Sequence, residues 1–409
     1  MATLARTIHL GLLACACGVF SGVASAGDRF ELQGLFDLRA VHADGATSYI
    51  YGGDGRLRFD PEHDGLRIGR VLLSGRYRLS DTWTFNAVGG SYADPDKHPV
   101  DLTEVWFERR PFPTGPVRYK WRIGAFHLPA SLENRAIGWT TPYSISSSAI
   151  NSWLGEEIRI IGTEFETRWL GASRGYAGDL AFTAGVYGWN DPAGDMIAIR
   201  GWSMNDRQST LFGGLGRPRE SYYREFDGRP GYYAGLTWRH HEMLEFRILR
   251  YDNRADPGAT STYDQAWRTQ FTTAGVRVEP DDRWTLISQA MQGRTIIGPL
   301  DEPGQQFAEY FRSWFVLVSR QWGALRATVR HDHFSTHEAR SGYGGPPAND
   351  DGRGLTLAVS YEFGLHWQAV GEWQQVHSSF PPRALLALPT GISETQFQVG
   401  ARYRFKLQR

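Results

Sequence analysis

The chain has no cysteine and no long apolar segment after its first 26 residues. Cys15 and Cys17 are its only cysteines, so residues 27–409 can form neither disulfides nor thiolate metal sites. No later segment approaches the run of about 18 apolar residues that a membrane-spanning helix requires. These absences exclude a disulfide-stabilised scaffold and a helical inner-membrane protein.

The chain also lacks an excess of charge of either sign. Basic and acidic residues balance at 44 each, which gives no indication of binding to nucleic acid. Lysine occurs only at Lys97, Lys120 and Lys406. The arginines either reflect a GC-rich genome or line a path for anions. Aromatic residues are abundant, at 13%, and no helical heptads occur, so the composition favours β structure.

The first 26 residues have the anatomy of a secretory signal peptide. Arg6 precedes the apolar residues 8–23, and Ala24, Ser25 and Ala26 form a small-residue cleavage site. We expect cleavage after Ala26 and one mature domain, residues 27–409. An alternative is a lipoprotein, because LLAC at residues 12–15 loosely resembles a lipid-attachment site.

Alternation of apolar and polar residues predicts sixteen β-strands of about the length that crosses a bilayer. The segments are residues 30–41, 66–79, 83–93, 101–110, 117–126, 158–169, 180–189, 232–240, 244–253, 268–278, 284–294, 310–322, 325–334, 355–363, 367–377 and 397–407. We therefore predict an all-β transmembrane antiparallel barrel of about 16 strands, with an 18-stranded exporter-like barrel as the nearest alternative.

The connections between these segments are predicted to alternate strictly between short and long. This asymmetry is typical of outer-membrane barrels, whose short turns are periplasmic and long loops extracellular. Aromatic residues, among them Trp83, Trp284, Trp322 and Trp367, flank the short turns. Tyr and Trp prefer the headgroup level of a bilayer, so these residues predict a periplasmic aromatic girdle.

Two segments carry a family resemblance, EVWFERR at residues 104–110 and RIGAFHLPASLE at residues 122–133. They resemble the phosphate-selective porin O/P-like family of bacterial outer-membrane porins. Arg122, Gly124, Phe126, Pro129 and Glu133 match its pattern R-x-G-x-F-K-x-P-x-x-x-E. His127 stands where that family usually has lysine, so the resemblance implies the porin architecture and not phosphate selectivity. It also implies a homotrimer.

Strand parity predicts which charged side chains face the lumen. Strands four to six should bring Glu104 and Glu108, Arg118 and Arg122, and Glu164 and Glu166 side by side. Such charges either form cross-strand ion pairs that stiffen the wall or set ion selectivity at a constriction. The predicted pore-lining and constriction residues are Arg70, Glu104, Glu108, Arg118, Lys120, Arg122, Glu133, Arg135, Glu164, Arg168, Arg247 and Arg330.

Residues 127–157 form a connection too long for a compact soluble domain. As the third outer loop, it is expected to fold into the lumen and form the constriction; the alternative is a loop lying over the mouth. Glu133 and Arg135 lie in it.

The sequence therefore predicts a Gram-negative outer-membrane porin for passive diffusion of small hydrophilic solutes. Whether the pore prefers anions or cations is left open by the sequence. No cofactor, metal or nucleic-acid partner is expected, and outer-membrane lipid surrounds the barrel. The alternative is a barrel without transport, either a structural protein or adhesin or a lipid- or peptide-hydrolysing enzyme. Against an enzyme, the chain has neither G-x-S-x-G nor H-E-x-x-H.

Overall fold

Sixteen antiparallel strands pair in sequence order, and the first strand pairs with the last, which closes the sheet into a barrel. The computed structural model describes residues 29–94, 100–213, 223–261, 264–299, 306–340 and 346–408. The predicted signal peptide and its cleavage site lie outside these residues. The strands are β1 (Phe30–Asp44), β2 (Gly65–Arg78), β3 (Trp83–Ser91), β4 (Asp101–Arg109), β5 (Val117–His127), β6 (Arg159–Trp169), β7 (Asp179–Gly188), β8 (Gly231–His240), β9 (Leu244–Asp252), β10 (Arg268–Val278), β11 (Trp284–Ile297), β12 (Phe307–Trp322), β13 (Leu325–Arg340), β14 (Asp351–Phe363), β15 (Trp367–Ser379) and β16 (Gly391–Gln408).

The prediction of a sixteen-stranded antiparallel barrel is confirmed, because these sixteen strands close the barrel. The two additional strands of the 18-stranded alternative are not needed. The largest differences lie at the long-loop ends of β13, β14 and β16, which extend beyond the predicted boundaries to Arg340, Asp351 and Gly391. The additional residues are polar on both faces, and a search for apolar alternation misses such strand ends.

The period of two separates the side chains of each strand into an outer and an inner set. On β5, Tyr119 and Ile123 are 48% and 43% exposed on the outer face. Arg122, one position away, points inward and binds Glu164 of β6. A closed barrel has no unpaired edge, so the apolar set can face lipid all around it.

The connections are shorter at one rim than at the other, although the alternation is less strict than predicted. The short-turn rim carries residues 79–82, 110–116, 170–178, 241–243, 279–283, 323–324 and 364–366. The long-loop rim carries residues 45–64, 92–100, 128–158, 189–230, 253–267, 298–306, 341–350 and 380–390. Residues 92–100 are no longer than the turn at residues 170–178, so length alone does not separate these two connections.

Aromatic side chains surround the short-turn rim on the outer face. Trp284, Trp322 and Trp367 are 38%, 45% and 46% exposed, and the Arg320 guanidinium lies 4.7 Å from the ring centroids of both Trp284 and Trp322. The last strand continues to Gln408, and Lys406 pairs with Glu31 at 3.0 Å. The extension beyond Phe405 is therefore accommodated by pairing with β1.

Two short helices lie in the long loops: α1 (Ala149–Glu157) and α2 (Asp195–Arg200). No helix among the described residues has the length and apolar character needed to cross a membrane.

Candidate functional site: the interior of the barrel

The loop between β5 and β6, residues 128–158 and here called the third loop, enters the barrel along the β9 wall. The Arg247 guanidinium of β9 donates to the carbonyl oxygens of Pro129 at 2.8 Å and Ser131 at 2.9 Å. Arg135 of the loop forms an ion pair with Glu245, also of β9. The first part of the loop is thus held against a wall four strands from β5, where the loop begins.

The same loop is bound on the far side of the barrel by Arg330 of β13, whose side chain is 0% exposed. Its guanidinium pairs with Glu133 of the loop at 2.9 Å and with Asp332 at 2.8 Å. It also donates to the carbonyl oxygens of Ser146 at 2.7 Å and Ser147 at 2.8 Å. Since β13 lies across the closed sheet from β5 and β6, the third loop crosses the interior.

Helix α1 packs its aromatic side chain into an apolar layer inside the barrel. Ser148 caps the helix, its hydroxyl accepting from the Asn151 N–H. The Trp153 ring meets the rings of Phe271 of β10 at 5.4 Å and Phe311 of β12 at 5.0 Å, both edge to face. At this level the described residues form a buried hydrophobic cluster within the barrel.

A second loop, residues 189–230 and here called the fourth loop, packs on the third. The Trp202 indole N–H donates to the carbonyl oxygen of Ser335 on β13 at 3.1 Å. Asp206 pairs with Arg39 of β1 at 2.7 Å and with Arg58 at 2.9 Å. Burial opposes ionisation of Asp206, but the surrounding arginines hold its pKa well below the usual range. The fourth loop is therefore fixed to β13 by a neutral hydrogen bond and to β1 by a charge-assisted contact.

The predicted charges of β5 and β6 do lie side by side on the inner wall. Arg122 makes a bidentate contact with Glu164, both distances being 2.8 Å. Lys120 lies 3.0 Å from Glu166, which also binds Arg168 at 3.1 Å. Arg122–Glu164 and Lys120–Glu166 are cross-strand neighbours, as the parity predicts, and Arg168 contacts Glu166 from the same strand.

Two predicted partners on β4 behave differently from each other. Glu108 lies opposite Arg122 in the β4–β5 register. Glu104 lies beyond the last β4–β5 pair, and its carboxylate accepts a hydrogen bond from the His127 backbone N–H at 2.9 Å. Among the described residues no ion pair joins Glu104 to an arginine of β5, because β5 separates from β4 beyond Ala125 while it stays paired with β6.

A basic chamber, so named because its basic lining side chains outnumber its acidic ones, lies between the third loop and the short-turn rim. The basic residues are Arg110, Arg118, Lys120, Arg135, Arg168, Arg239, Arg247 and Arg277, and the acidic residues are Glu166, Asp179, Glu242, Glu245 and Glu279. The chamber consists of two cavities of about 250 Å³ and 430 Å³, which share Arg118, Arg168 and Arg239. Within the described part of the chain, Arg118 has no carboxylate within ion-pair distance. The chamber can therefore attract anions by unpaired positive charge.

Sequence reasoning missed most of a buried charge cluster at the wall formed by β1 and β2. The cluster consists of Asp37, Arg39, Arg70 and Asp206. Arg70 was predicted; it lies 3.8 Å from Asp37 and 3.7 Å from Asp206. Asp37 and Arg39 occupy consecutive inward positions of β1, and the period-two pattern could have identified both. Asp206 lies in a long loop, where no periodicity indicates which wall it meets.

A group of three carboxylates lies at the long-loop rim, where no metal site was predicted. Carboxylate oxygens of Asp191, Glu225 and Asp227 lie within 4.8 Å of one another. Burial raises the pKa of Asp191 to about 7, with a further contribution from the other two carboxylates. The Phe226 N–H already donates to Asp191, and Arg229 lies 3.7 Å from Asp227, so backbone and guanidinium groups engage part of the cluster.

The solved structures to which this chain is similar include outer-membrane porins and channels. The outer-membrane channel DcaP of Acinetobacter baumannii is 11% identical, with a TM-score of 0.57 over 93% of this chain and 99% of that chain. An anion-selective porin from Comamonas acidovorans is 12% identical, with a TM-score of 0.54 over 92% and 99%. OmpF of Salmonella typhi, in complex with daunomycin, is 11% identical, with a TM-score of 0.53 over 93% and 98%.

At these identities the similarity shows the fold, which is the porin fold. No family model matches the sequence, and no curated protein matches it.

Proposed function

We propose that this chain forms a narrow channel in the outer membrane of a Gram-negative bacterium and passes small hydrophilic solutes, with a preference for anions. The observation that carries the proposal is the third loop, held across the lumen by Arg330 on one wall and by Glu245 and Arg247 on another. A loop held in this way narrows a barrel to a size filter, and the charges beside it set selectivity.

The short-turn rim is assigned to the periplasm. Both β1 and β16 have their terminal ends at that rim, as expected for an exported chain whose even strand number returns both ends to one side. A cleaved signal peptide and a homotrimer of such barrels belong to the same proposal.

The anion preference is supported by the basic chamber. Arg118 has no ion-pair partner among the described residues, whereas Arg168 and Arg239 of the same chamber pair with Glu166 and Glu245. Inner arginines with partners contribute less net field, as Arg122 does through its bidentate contact with Glu164.

Kinship with the phosphate-selective porin O/P-like family is part of the proposal, and it is supported by what the motif residues do. Arg122 lies 4.1 Å over the Phe126 ring. A Cβ on Gly124 would lie 2.2 Å from the Val105 carbonyl oxygen, and its φ is +140°, so glycine is required there. Pro129 and Glu133 supply the contacts to β9 and β13. The motif thus specifies how the third loop enters the lumen.

A barrel without transport is the second candidate, and the apolar layer around Trp153 favours it. The side chains of that layer occupy much of the cross-section of the barrel at the height of Trp153. Tyr233 belongs to the layer, and its hydroxyl donates to Glu164 on the wall at 2.8 Å. The two candidates differ in conductance, since a structural barrel passes no current.

Arg118→Glu tests the channel proposal without breaking an ion pair. A unit charge at 4 Å in water changes the energy of an ion by about 1 kcal/mol, or about fivefold in local concentration. Because Arg118→Glu changes the charge by two units, we expect the variant to lose about 30-fold in chloride conductance in planar bilayers. Arg109→Glu on the outer face is the matched control and should conduct as the unmodified protein does. Equal conductance of both variants would contradict the assignment of the basic chamber to the ion path.

A further inference from the structure

Three arginines at the long-loop rim point away from the lumen, on the outer face of the barrel. Arg250 of β9, Arg294 of β11 and Arg312 of β12 are all exposed. In the strand register Arg250 is opposite Thr272, Thr272 opposite Gln292, and Gln292 opposite Arg312. Arg294 is a diagonal neighbour of Arg312, about 7–8 Å away between backbones. The three arginines, here called the outer arginine cluster, therefore form one group.

Every polar partner of this cluster in the described structure is neutral. Arg312 donates to Ser335 at 2.9 Å, and Arg250 to Thr272 at 3.2 Å. Arg250 and Arg294 both donate to Gln270 at 3.3 Å. No carboxylate lies within ion-pair distance of the three guanidinium groups among the residues that the structure describes. Their charge is thus uncompensated, whereas Arg122 and Arg330 on the inner face are both paired with carboxylates.

Of the carboxylates nearest to the cluster on this surface, one is bound to other side chains and the other lies two strands away. Asp252 already accepts from Gln270 at 2.7 Å and lies 3.5 Å from Arg268. Asp351 is exposed on β14, two strands from Arg312. The cluster therefore presents net positive charge to its surroundings.

Below the cluster the same outer face is apolar. Along β12, Trp314, Val316 and Val318 follow Arg312 at every second position and are 41%, 37% and 38% exposed. Tyr310, on the other side of Arg312, is 47% exposed. Aromatic and basic side chains at this height mark the polar boundary of the membrane. A ligand that binds both the outer arginine cluster and the apolar face of β12 must have an anionic head group next to acyl chains.

We propose that the outer arginine cluster binds the phosphate groups of a phosphorylated glycolipid in the outer leaflet. Guanidinium groups bind phosphate through paired, charge-assisted hydrogen bonds. The apolar face of β12 covers the acyl chains of the same molecule. The assignment rests on the proposed placement of the long-loop rim at the cell surface, and it does not require that the barrel conduct ions.

The test compares Arg294→Gln/Arg312→Gln with Arg109→Gln/Arg320→Gln, which removes two outer-face arginines at the opposite rim. Binding of bisphosphorylated lipid A to each purified barrel in detergent is measured by native mass spectrometry, beside dephosphorylated lipid A and inorganic phosphate. We expect the first variant to bind bisphosphorylated lipid A at least about tenfold more weakly, equivalent to about 1.4 kcal/mol. The control variant should bind it as the unmodified protein does.

Three results would overturn the proposal. One is equal binding of bisphosphorylated lipid A by the two variants. Another is binding of dephosphorylated lipid A as tight as that of the phosphorylated form, which would show apolar contact alone. The third is full competition by inorganic phosphate, which would indicate a site for a soluble anion. Planar-bilayer conductance of the Arg294→Gln/Arg312→Gln variant should equal that of the unmodified protein, so failure here is separate from failure of the channel proposal.

Discussion

Arg330 binds the third loop to the barrel wall through a buried network with no access to solvent. Its guanidinium contacts Glu133, Asp332 and two backbone carbonyl oxygens. Removing one member of a buried ion pair leaves an uncompensated charge and costs about 3–5 kcal/mol. We predict that Arg330→Gln lowers the free energy of unfolding by this amount, measured by urea unfolding in lipid vesicles, and that it raises single-channel conductance because the loop is released.

Arg404→Gln is the control for that prediction. Arg404 pairs with Glu362, but both side chains are substantially exposed, at 44% and 39%. Exposed ion pairs contribute about 0–1 kcal/mol, so this variant should be nearly as stable as the unmodified protein. An equal effect of the two substitutions would show that Arg330 does not hold the loop.

Strand parity predicted the inner side chains of β5 and β6 and their cross-strand neighbours, but it did not predict the partners that come from loops. Arg122, Lys120, Glu164 and Arg168 lie where the period of two places them, because a one-residue slip would turn them to lipid. Partners that come from a loop, such as Asp206, follow no period. The sequence therefore located the charges on the wall, but it did not identify the loop residues that bind them.

Helix α1 of the third loop and helix α2 of the fourth loop meet at a buried carboxyl group, Glu157. Its carboxylate accepts from the Trp153 indole N–H at 2.7 Å and from the Met196 N–H at 3.0 Å. Burial, with a further contribution from the Asp195 carboxylate, raises the pKa of Glu157 to about 8 from an ordinary value of 4.5. The two helices are thus joined through a group that favours its protonated form.

The pH dependence follows from the direction of that shift. Between about pH 4.5 and pH 8 the folded chain holds a proton on Glu157 that the unfolded chain has lost, so stability falls as pH rises, by up to about 1.4 kcal/mol per unit. Glu157→Gln removes this dependence. We predict that its stability relative to the unmodified protein increases from about pH 5 to about pH 8, measured by urea unfolding at each pH.

Glu242→Gln, in an exposed turn, provides the comparison for Glu157. Its stability relative to the unmodified protein should not change over the same range. A Glu157→Gln variant whose relative stability is equally independent of pH would show that the carboxyl titrates normally in the folded chain.

The strands were predictable as elements and the helices were not. A strand that faces lipid on one side and water on the other must alternate, and each of the sixteen predicted segments overlaps a strand of the structure. Helix α1 is buried on every side, as its residues from Ala149 to Glu157 show, so its sequence carries no amphipathic period.

For the whole molecule, closure of the barrel follows from alternation, whereas the content of its interior does not. The third and fourth loops bring together Glu133, Trp153 and Asp206 with walls that are distant in sequence. Such long-range contacts depend on the loop path, which no local pattern specifies. The central claim about the whole molecule is that the remaining space forms a continuous path for anions.

Reversal potential in a planar bilayer with a KCl gradient tests that claim most directly. Purified protein, with its chamber arginines intact, should insert as channels of low conductance, because the third loop and its apolar layer narrow the lumen. The account predicts a reversal potential of the sign given by preferential chloride flow. A barrel that inserts without any conductance, or a potential of the sign given by preferential potassium flow, would contradict it.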